Sequence, residues 1–241
     1  MMRRTHRPWA ADPEAAPPSD GPKRAAFYDM DGTLVSTNLV HSYVFLARNG
    51  VSVSRSVLDT VKAVSKLPAF LVADRLSRAY FNELLYAGYA GTFQDRLLEL
   101  AEEHFEEVLK PNIFPGVFEL VESAKKEGLR QVIVSGSLDV LVAPLARYLG
   151  IDDVITNRLE LKDGVATGRL MKPVVAGAVK ARIIQEYARA FDVDLLESYA
   201  YSDSYSDYAM LAVVGRPAAV NPDRRLFRAA REQEWPVLDI R

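Results

Sequence analysis

The sequence predicts an α/β fold, with a three-layer parallel-sheet core, a helical cap inserted after the first strand and a small β-hairpin insertion further on. Three observations predict it. Four short apolar runs alternate with amphipathic helical stretches, and runs this brief suit strands covered on both faces. The stretch from Thr37 to Lys110 holds helical segments and no convincing strand. In Thr156–Leu170, Asp163-Gly164 lies between alternating segments, which is a hairpin signal.

The elements follow in order. The first 22 residues carry five of the 13 prolines and no apolar run, which predicts a disordered leader. Arg3-Arg4 is not followed by the hydrophobic segment a secretion signal needs. The first strand spans Lys23–Asp29, and Leu129–Val134, Ser198–Tyr201 and Pro217–Val220 are the next three. Helices are predicted over Val117–Glu127, ended by Gly128, and Leu138–Leu149, ended by Gly150. Two more follow over Ala178–Phe191 and Leu226–Glu234. The domains then read as a leader over 1–22, a core over 23–36 and 111–241, and a cap over 37–110.

Composition narrows the chemistry. With 241 residues there is room for one sizeable core plus an insertion. Thirty Lys and Arg against 32 Asp and Glu give a net charge of −2, which offers nothing to a nucleic-acid binder. The absence of cysteine excludes disulfides, thiolate zinc sites and a Cys nucleophile. Only His6, His41 and His104 are available for imidazole chemistry. Carboxylates, hydroxyls and lysines are left to act. No window approaches the roughly 18 apolar residues of a membrane span. The expected location is cytoplasmic, and the oligomeric state stays open.

Asp29-Met30-Asp31-Gly32-Thr33 is the strongest local signal. Two carboxylates leave a buried strand where open α/β sheets bind ligands. One carboxylate suits nucleophilic attack, and its neighbour suits proton transfer. Both suit Mg²⁺, which prefers oxygen. An Asp- and Gly-rich turn is the plainer reading. After the second strand, Ser135-Gly136-Ser137 opens a helix. Ser137 reads as its cap and Ser135 as an anion ligand. Lys180 lies near a later helix start, and Lys172 before Pro173 competes with it. Asp203 and Asp207 follow the third strand, four apart, suited to sharing one metal with Asp203 in front. Together these groups suit Mg²⁺ and a phosphate dianion.

The order DMDGT, Ser, Lys and paired Asp resembles the haloacid dehalogenase superfamily, in its phosphoserine-phosphatase-like branch. The resemblance covers about Ala25–Asn221. It implies a Rossmann-like core and a Mg²⁺-dependent phosphatase working through an aspartyl-phosphate. By position, Asp29 is the nucleophile and Asp31 the general acid/base. Thr33, Ser135 and Gly136 hold phosphate, and Lys180 neutralises it. Asp29, Asp31, Asp203 and Asp207 form the metal site. A phosphotransferase or phosphomutase would share the intermediate, and a phospho-acceptor signalling module would share the clustered Asp and Lys.

Substrate-binding residues depart from the pattern. The branch's ammonium-binding glutamate is replaced by Asn38, and its Gly-Asp-Gly by Ser202-Asp203-Ser204. Arg75 and Arg78 are the cap's candidates for a substrate carboxylate. Phe70, Leu71, Tyr80, Phe81, Leu84, Leu85, Tyr86, Tyr89 and Phe93 read as cap packing. The sharper alternative is an apolar entrance. The expected partner is therefore a small phosphorylated metabolite, with a lipid phosphate as the alternative. His41 and His104 read as structural or surface residues, with His41 nearer the cleft.

Overall fold

The computed structural model describes residues 23–49 and 78–241. The leader over 1–22, Phe70, Leu71 and Arg75 lie outside the described residues. Six strands form one sheet in the order β3-β2-β1-β6-β7-β8, every neighbouring pair parallel. They are β1 (Ala25–Tyr28), β2 (Arg130–Leu138), β3 (Asp153–Asn157), β6 (Tyr199–Ser202), β7 (Arg216–Val220) and β8 (Val237–Leu238). The chain builds outward from β1 to β3, then returns to place β6 against the other side of β1. The strand order reverses there, and such a reversal opens a crevice beyond the strand ends.

Alternation along β1 sets the layers. Ala26 and Tyr28 face one core, with helices α4 (Val117–Lys126) and α5 (Asp139–Leu149). Ala25 and Phe27 face the other, with α6 (Ala178–Phe191), α7 (Tyr208–Ala212) and α8 (Arg224–Glu232). Every β1 side chain is fully buried, which explains a run without polar alternation.

The inserted segment leaves and re-enters the core side by side. Phe114 N donates to Leu34 O (3.1 Å) and Ser36 N to Asn112 O (2.9 Å). Its described helices are α1 (Leu39–Arg48), α2 (Arg78–Tyr86) and α3 (Gln94–His104). A π-helical turn over Phe105–Leu109 follows. Phe81, Leu85, Tyr86 and Tyr89 are buried in one cluster with Leu97 and Leu100, and Leu84 packs against it. Among the described residues, Phe81, Tyr86 and Tyr89 of this segment go into packing, while Tyr80 and Phe93 stay exposed.

The hairpin pairs β4 (Leu159–Lys162) with β5 (Val165–Leu170). Asp163 and Gly164 both take positive φ, 51° and 74°, as the two-residue turn requires. It joins the insertion's own core: Leu159, Ala166 and Leu170 pack with Phe81 and Leu85, and Gly91 N donates to Ala166 O (2.8 Å).

Three expectations need correction. Thr156 belongs to β3, a strand the sequence did not reveal, so the hairpin starts later. β8 was likewise unforeseen; its two residues are too few to carry a pattern. The second strand continues through Ser135-Gly136-Ser137 to Leu138. Ser137 therefore caps no helix, and α5 starts at Asp139 behind a Leu138 with no side-chain cap.

Candidate active site

A cavity of about 440 Å³ opens beyond the ends of β1 and β6. Its walls include Asp29, Asp31, Gly32, Asn38, Arg78, Asn82, Gly136, Lys180, Asp203 and Asp207. They come from separate segments of the chain, the turn after β1, the inserted helices, the end of β2, the start of α6 and the segment after β6, so the fold gathers residues far apart in sequence.

Asp29 leaves β1 directly, and its N–H donates to Tyr201 O on β6 (2.9 Å). The chain then turns tightly, since the N–H groups of Thr33, Leu34 and Val35 all donate to Met30 O. Gly32 is required twice in this turn. Its φ is +87°, and a Cβ there would collide with the Asp203 carboxylate. The turn thus brings Asp203 against the DMDGT backbone.

Lys180 is the hub of the charge network. Its Nζ lies 2.5 Å from Asp29 Oδ1 and 2.7 Å from Asp207 Oδ2, and all three side chains are buried. Asp207 Oδ2 also accepts from Ser202 Oγ (3.0 Å). Asp207 therefore faces Lys180 and the strand end. Burial acts to lower the Lys180 ammonium, but Asp207 and Asp29 outweigh it and hold the group above its usual range. The competing Lys172 pairs with Glu83 on the surface.

The acids outnumber this cation. Burial pushes Asp29 above the ordinary carboxylate range, with Lys180 opposing. Asp31 is pushed up to about 7, first by burial and then by the Asp29 charge. Ser137, Lys180 and Arg78 pull it the other way. Asp203 is pushed up to about 8 by burial, then by Asp29 and Asp207. Asp31 Oδ2 accepts from Ser137 Oγ (3.2 Å), while Asp31 Oδ1 is buried without a partner. Clustered acids of this kind mark a functional site.

The remaining expected residues divide. Thr33 is fully buried, its Oγ1 3.4 Å from carboxylate oxygens of both Asp29 and Asp203. Ser135 is also buried, and its Oγ accepts from Ser137 N (3.0 Å). Gly136 lines the cavity directly. Asn38 lines it too, but serves as the N-cap of α1. Its Oδ1 accepts from His41 N (3.2 Å), and its own N–H donates to His41 Nδ1 (3.2 Å), a reciprocal capping box.

Asn82 and Asn157 carried no signal in the sequence, and Tyr86 read only as cap packing or part of an apolar entrance. All three donate to the Gly136 carbonyl, at 3.4, 3.2 and 2.8 Å. Asn82 and Asn157 also reach Val175 O. They fasten α2 and β3 to the strand end that carries Ser135 and Gly136. A lone Asn or Tyr in an amphipathic helix looks like any other, and only the fold reveals these partners.

Residues 26–212 match the haloacid dehalogenase-like hydrolase family. The chain belongs to this family. Within these hydrolases it is a phosphatase of the phosphoserine-phosphatase-like branch. It is 33% identical over 233 residues to phosphoserine phosphatase SerB1 of Mycobacterium tuberculosis, covering 96% of this chain and 75% of that one. It is 29% identical over 226 residues to a histidinol-phosphatase of Neisseria meningitidis serogroup C, covering 91% and 100%. Among solved structures, a protein of unknown function from Bordetella pertussis Tohama I superposes with a TM-score of 0.81 at 25% identity, over 91% of this chain and all of that one. This hydrolase thus shares its fold and most of its length with the relatives. Among its described residues, no helix is long and apolar enough to cross a membrane.

Proposed function

We propose that this hydrolase is a Mg²⁺-dependent phosphatase that cleaves a small phosphate monoester through an aspartyl-phosphate on Asp29. The observation that carries the reading is the asymmetry of the two acids after β1. Lys180 holds Asp29 Oδ1 at 2.5 Å, which leaves Oδ2 to attack. Asp31, two residues on, keeps one buried oxygen without a partner.

The steps follow from these groups. Asp29 Oδ2 attacks phosphorus in line with the leaving oxygen. Asp31, protonated, donates its proton to that oxygen as the P–O bond breaks, and the alcohol departs. Asp31 then takes a proton from a water that attacks the phosphoenzyme, and phosphate leaves. Burial and the Asp29 charge raise the Asp31 carboxyl, which favours the protonated form a general acid needs. Lys180 and the Gly136 N–H offset charge on the phosphate oxygens. A phosphate monoester reacts so slowly in water that this positioning and neutralisation is what a catalyst must add.

The donor set fits Mg²⁺. Hard oxygen donors cluster here, and burial first, then neighbouring acids, raise the Asp31 and Asp203 carboxyls. Among the described residues no three acidic or His side chains converge enough to hold a metal alone. Mg²⁺ needs fewer, since it keeps several waters and binds one or two carboxylates. Asp29 and Asp203 would supply those carboxylates, Asp31 its main-chain carbonyl, and Asp207 would support the site by orienting Lys180. A bound cation would neutralise phosphate oxygens and the acids' mutual repulsion.

The substrate we infer is small and polar. Among the described residues, those lining the cavity are polar or charged apart from Leu39, Ala176 and glycines. Arg78 would meet an anionic group. Asn38 replaces an acid and is committed to capping, which argues against tight binding of an ammonium there. SerB1 and the histidinol-phosphatase are named for different substrates, so the branch alone selects neither.

The test is a turnover assay over phosphoserine, histidinol phosphate, phosphoethanolamine and lysophosphatidate, with and without Mg²⁺. Chelation is expected to stop phosphate release and Mg²⁺ to restore it. Activity indifferent to chelation would overturn the metal assignment. A preference for lysophosphatidate would overturn the polar-substrate reading. Phosphate passed mainly to added alcohols would make it a transferase instead.

A further inference from the structure

Helix α8, RRLFRAARE, carries four arginines in nine residues. Leu226, Ala229 and Ala230 face the core. At 100° per residue, Arg224, Arg228 and Arg231 fall within one narrow stripe opposite that buried face. Arg225 and Phe227 flank the stripe, and Phe227 is 46% exposed.

These arginines are unlike most others among the described residues. Arg96, Arg130, Arg147, Arg158, Arg169, Arg182, Arg216 and Arg241 each pair with a carboxylate. Among the described residues, none of the four on α8 does. Arg225 lies over the Tyr205 ring at 4.3 Å, and Arg228 Nε donates to Arg224 O.

Folding gains from only part of the arrangement: Arg225 stacks on Tyr205 and Arg231 lies in the last turn, where the helix dipole favours a cation. Two arginines occupy the first turn, which has no acid, although the helix dipole favours acids there. Arg224 with Arg228, and Arg228 with Arg231, are like charges at the spacings that repel. Asp223 caps the helix through Arg225 N and Leu226 N, both at 2.8 Å, and so offsets part of this. A locally unfavourable charge pattern left in place on a surface points to function.

The location adds to this. Asp223, directly before α8, lines the catalytic cavity, and its N–H donates to Asp203 O (2.7 Å). The arginine stripe therefore begins at the mouth of the site.

We propose that the outer face of α8 is a docking surface for an anionic membrane. A convex stripe of guanidinium groups with an exposed Phe beside it suits a flat, negatively charged surface with an apolar interior. On such a surface the four charges act together, and Phe227 enters the headgroup boundary. Docking would turn the cavity mouth towards the membrane.

The experiment is flotation of the full chain with vesicles of phosphatidylcholine alone, or with about one third phosphatidylserine. Binding is expected only with phosphatidylserine, and is expected to fall as salt is raised. Replacing Arg224, Arg225, Arg228 and Arg231 by Gln is expected to weaken it about fivefold per arginine, hence by a hundredfold or more. Phe227→Ser should weaken it severalfold. The Gln variant should stay folded and keep its turnover of a small soluble ester, since the repulsion it removes offsets the lost Arg225–Tyr205 contact. If it misfolds, the pair Arg224→Gln and Arg228→Gln replaces it. Absence of phosphatidylserine-dependent binding, or binding that survives these changes, overturns the proposal. Equal or tighter arginine-dependent capture of a soluble RNA overturns the membrane assignment in favour of a polyanion. Because the readout is binding, failure here is distinguishable from failure of the phosphatase reading.

Discussion

Asp29 and Lys180 illustrate how little a residue's type says without its neighbours. A buried lysine is unfavourable alone, and so are the two buried carboxylates beside it. Lys180→Met is expected to remove turnover and to lower unfolding stability by about 3–5 kcal/mol, because Asp29 and Asp207 lose their cation. Urea unfolding measures it. Asp29→Asn should abolish phosphate release while leaving the melting temperature nearly unchanged; release at the parental rate would refute the nucleophile. Asp31→Asn should slow both formation and breakdown of the phosphoenzyme, each by roughly 10²–10⁴-fold, read by rapid-quench labelling. Gly32→Ala should displace the Asp203 carboxylate, since a Cβ there collides with it. Its signature is a raised Mg²⁺ requirement in a folded protein.

At the level of elements, α3 carries a titratable device of its own. His104 is fully buried at its end, makes edge contact with Phe45, and neither ring nitrogen has a partner. Burial lowers its pKa from 6.5 to about 4. The folded state thus binds the proton more weakly than the unfolded chain. Its contribution is complete above about pH 6.5 and is lost as pH falls towards 4. The loss is on the order of 3 kcal/mol at 1.36 kcal/mol per unit. Denaturant titrations at pH 7 and pH 4 should show it, and His104→Phe should shrink the difference. The elements also show what the sequence could disclose. The helices over Val117–Lys126 and Ala178–Phe191 were legible because their apolar period is long enough to count. The hairpin was legible because its Asp-Gly turn admits few alternatives. Ser135-Gly136-Ser137 was misread as a helix start because its deciding bond, Ser137 to Asp31, spans 106 positions.

For the whole molecule, the reading from sequence succeeded where chemistry repeats locally and failed where contacts are distant. The DMDGT acids and the later Asp pair read as strand-end residues and Lys180 as a helix-start residue, and all of them line one cavity. Asn82, Tyr86 and Asn157 escaped because their shared partner is a backbone carbonyl. The strand order β3-β2-β1-β6-β7-β8 has a further consequence, for synthesis. β1 is the most buried strand, yet its second neighbour, β6, starts only at Tyr199. While the ribosome makes the residues between Leu138 and Tyr199, the nascent chain holds an apolar strand with one edge bare. Such an edge recruits other chains. A chain stopped at Leu195 should aggregate on expression where the full chain remains in the supernatant, and a co-expressed holdase chaperone should rescue the difference.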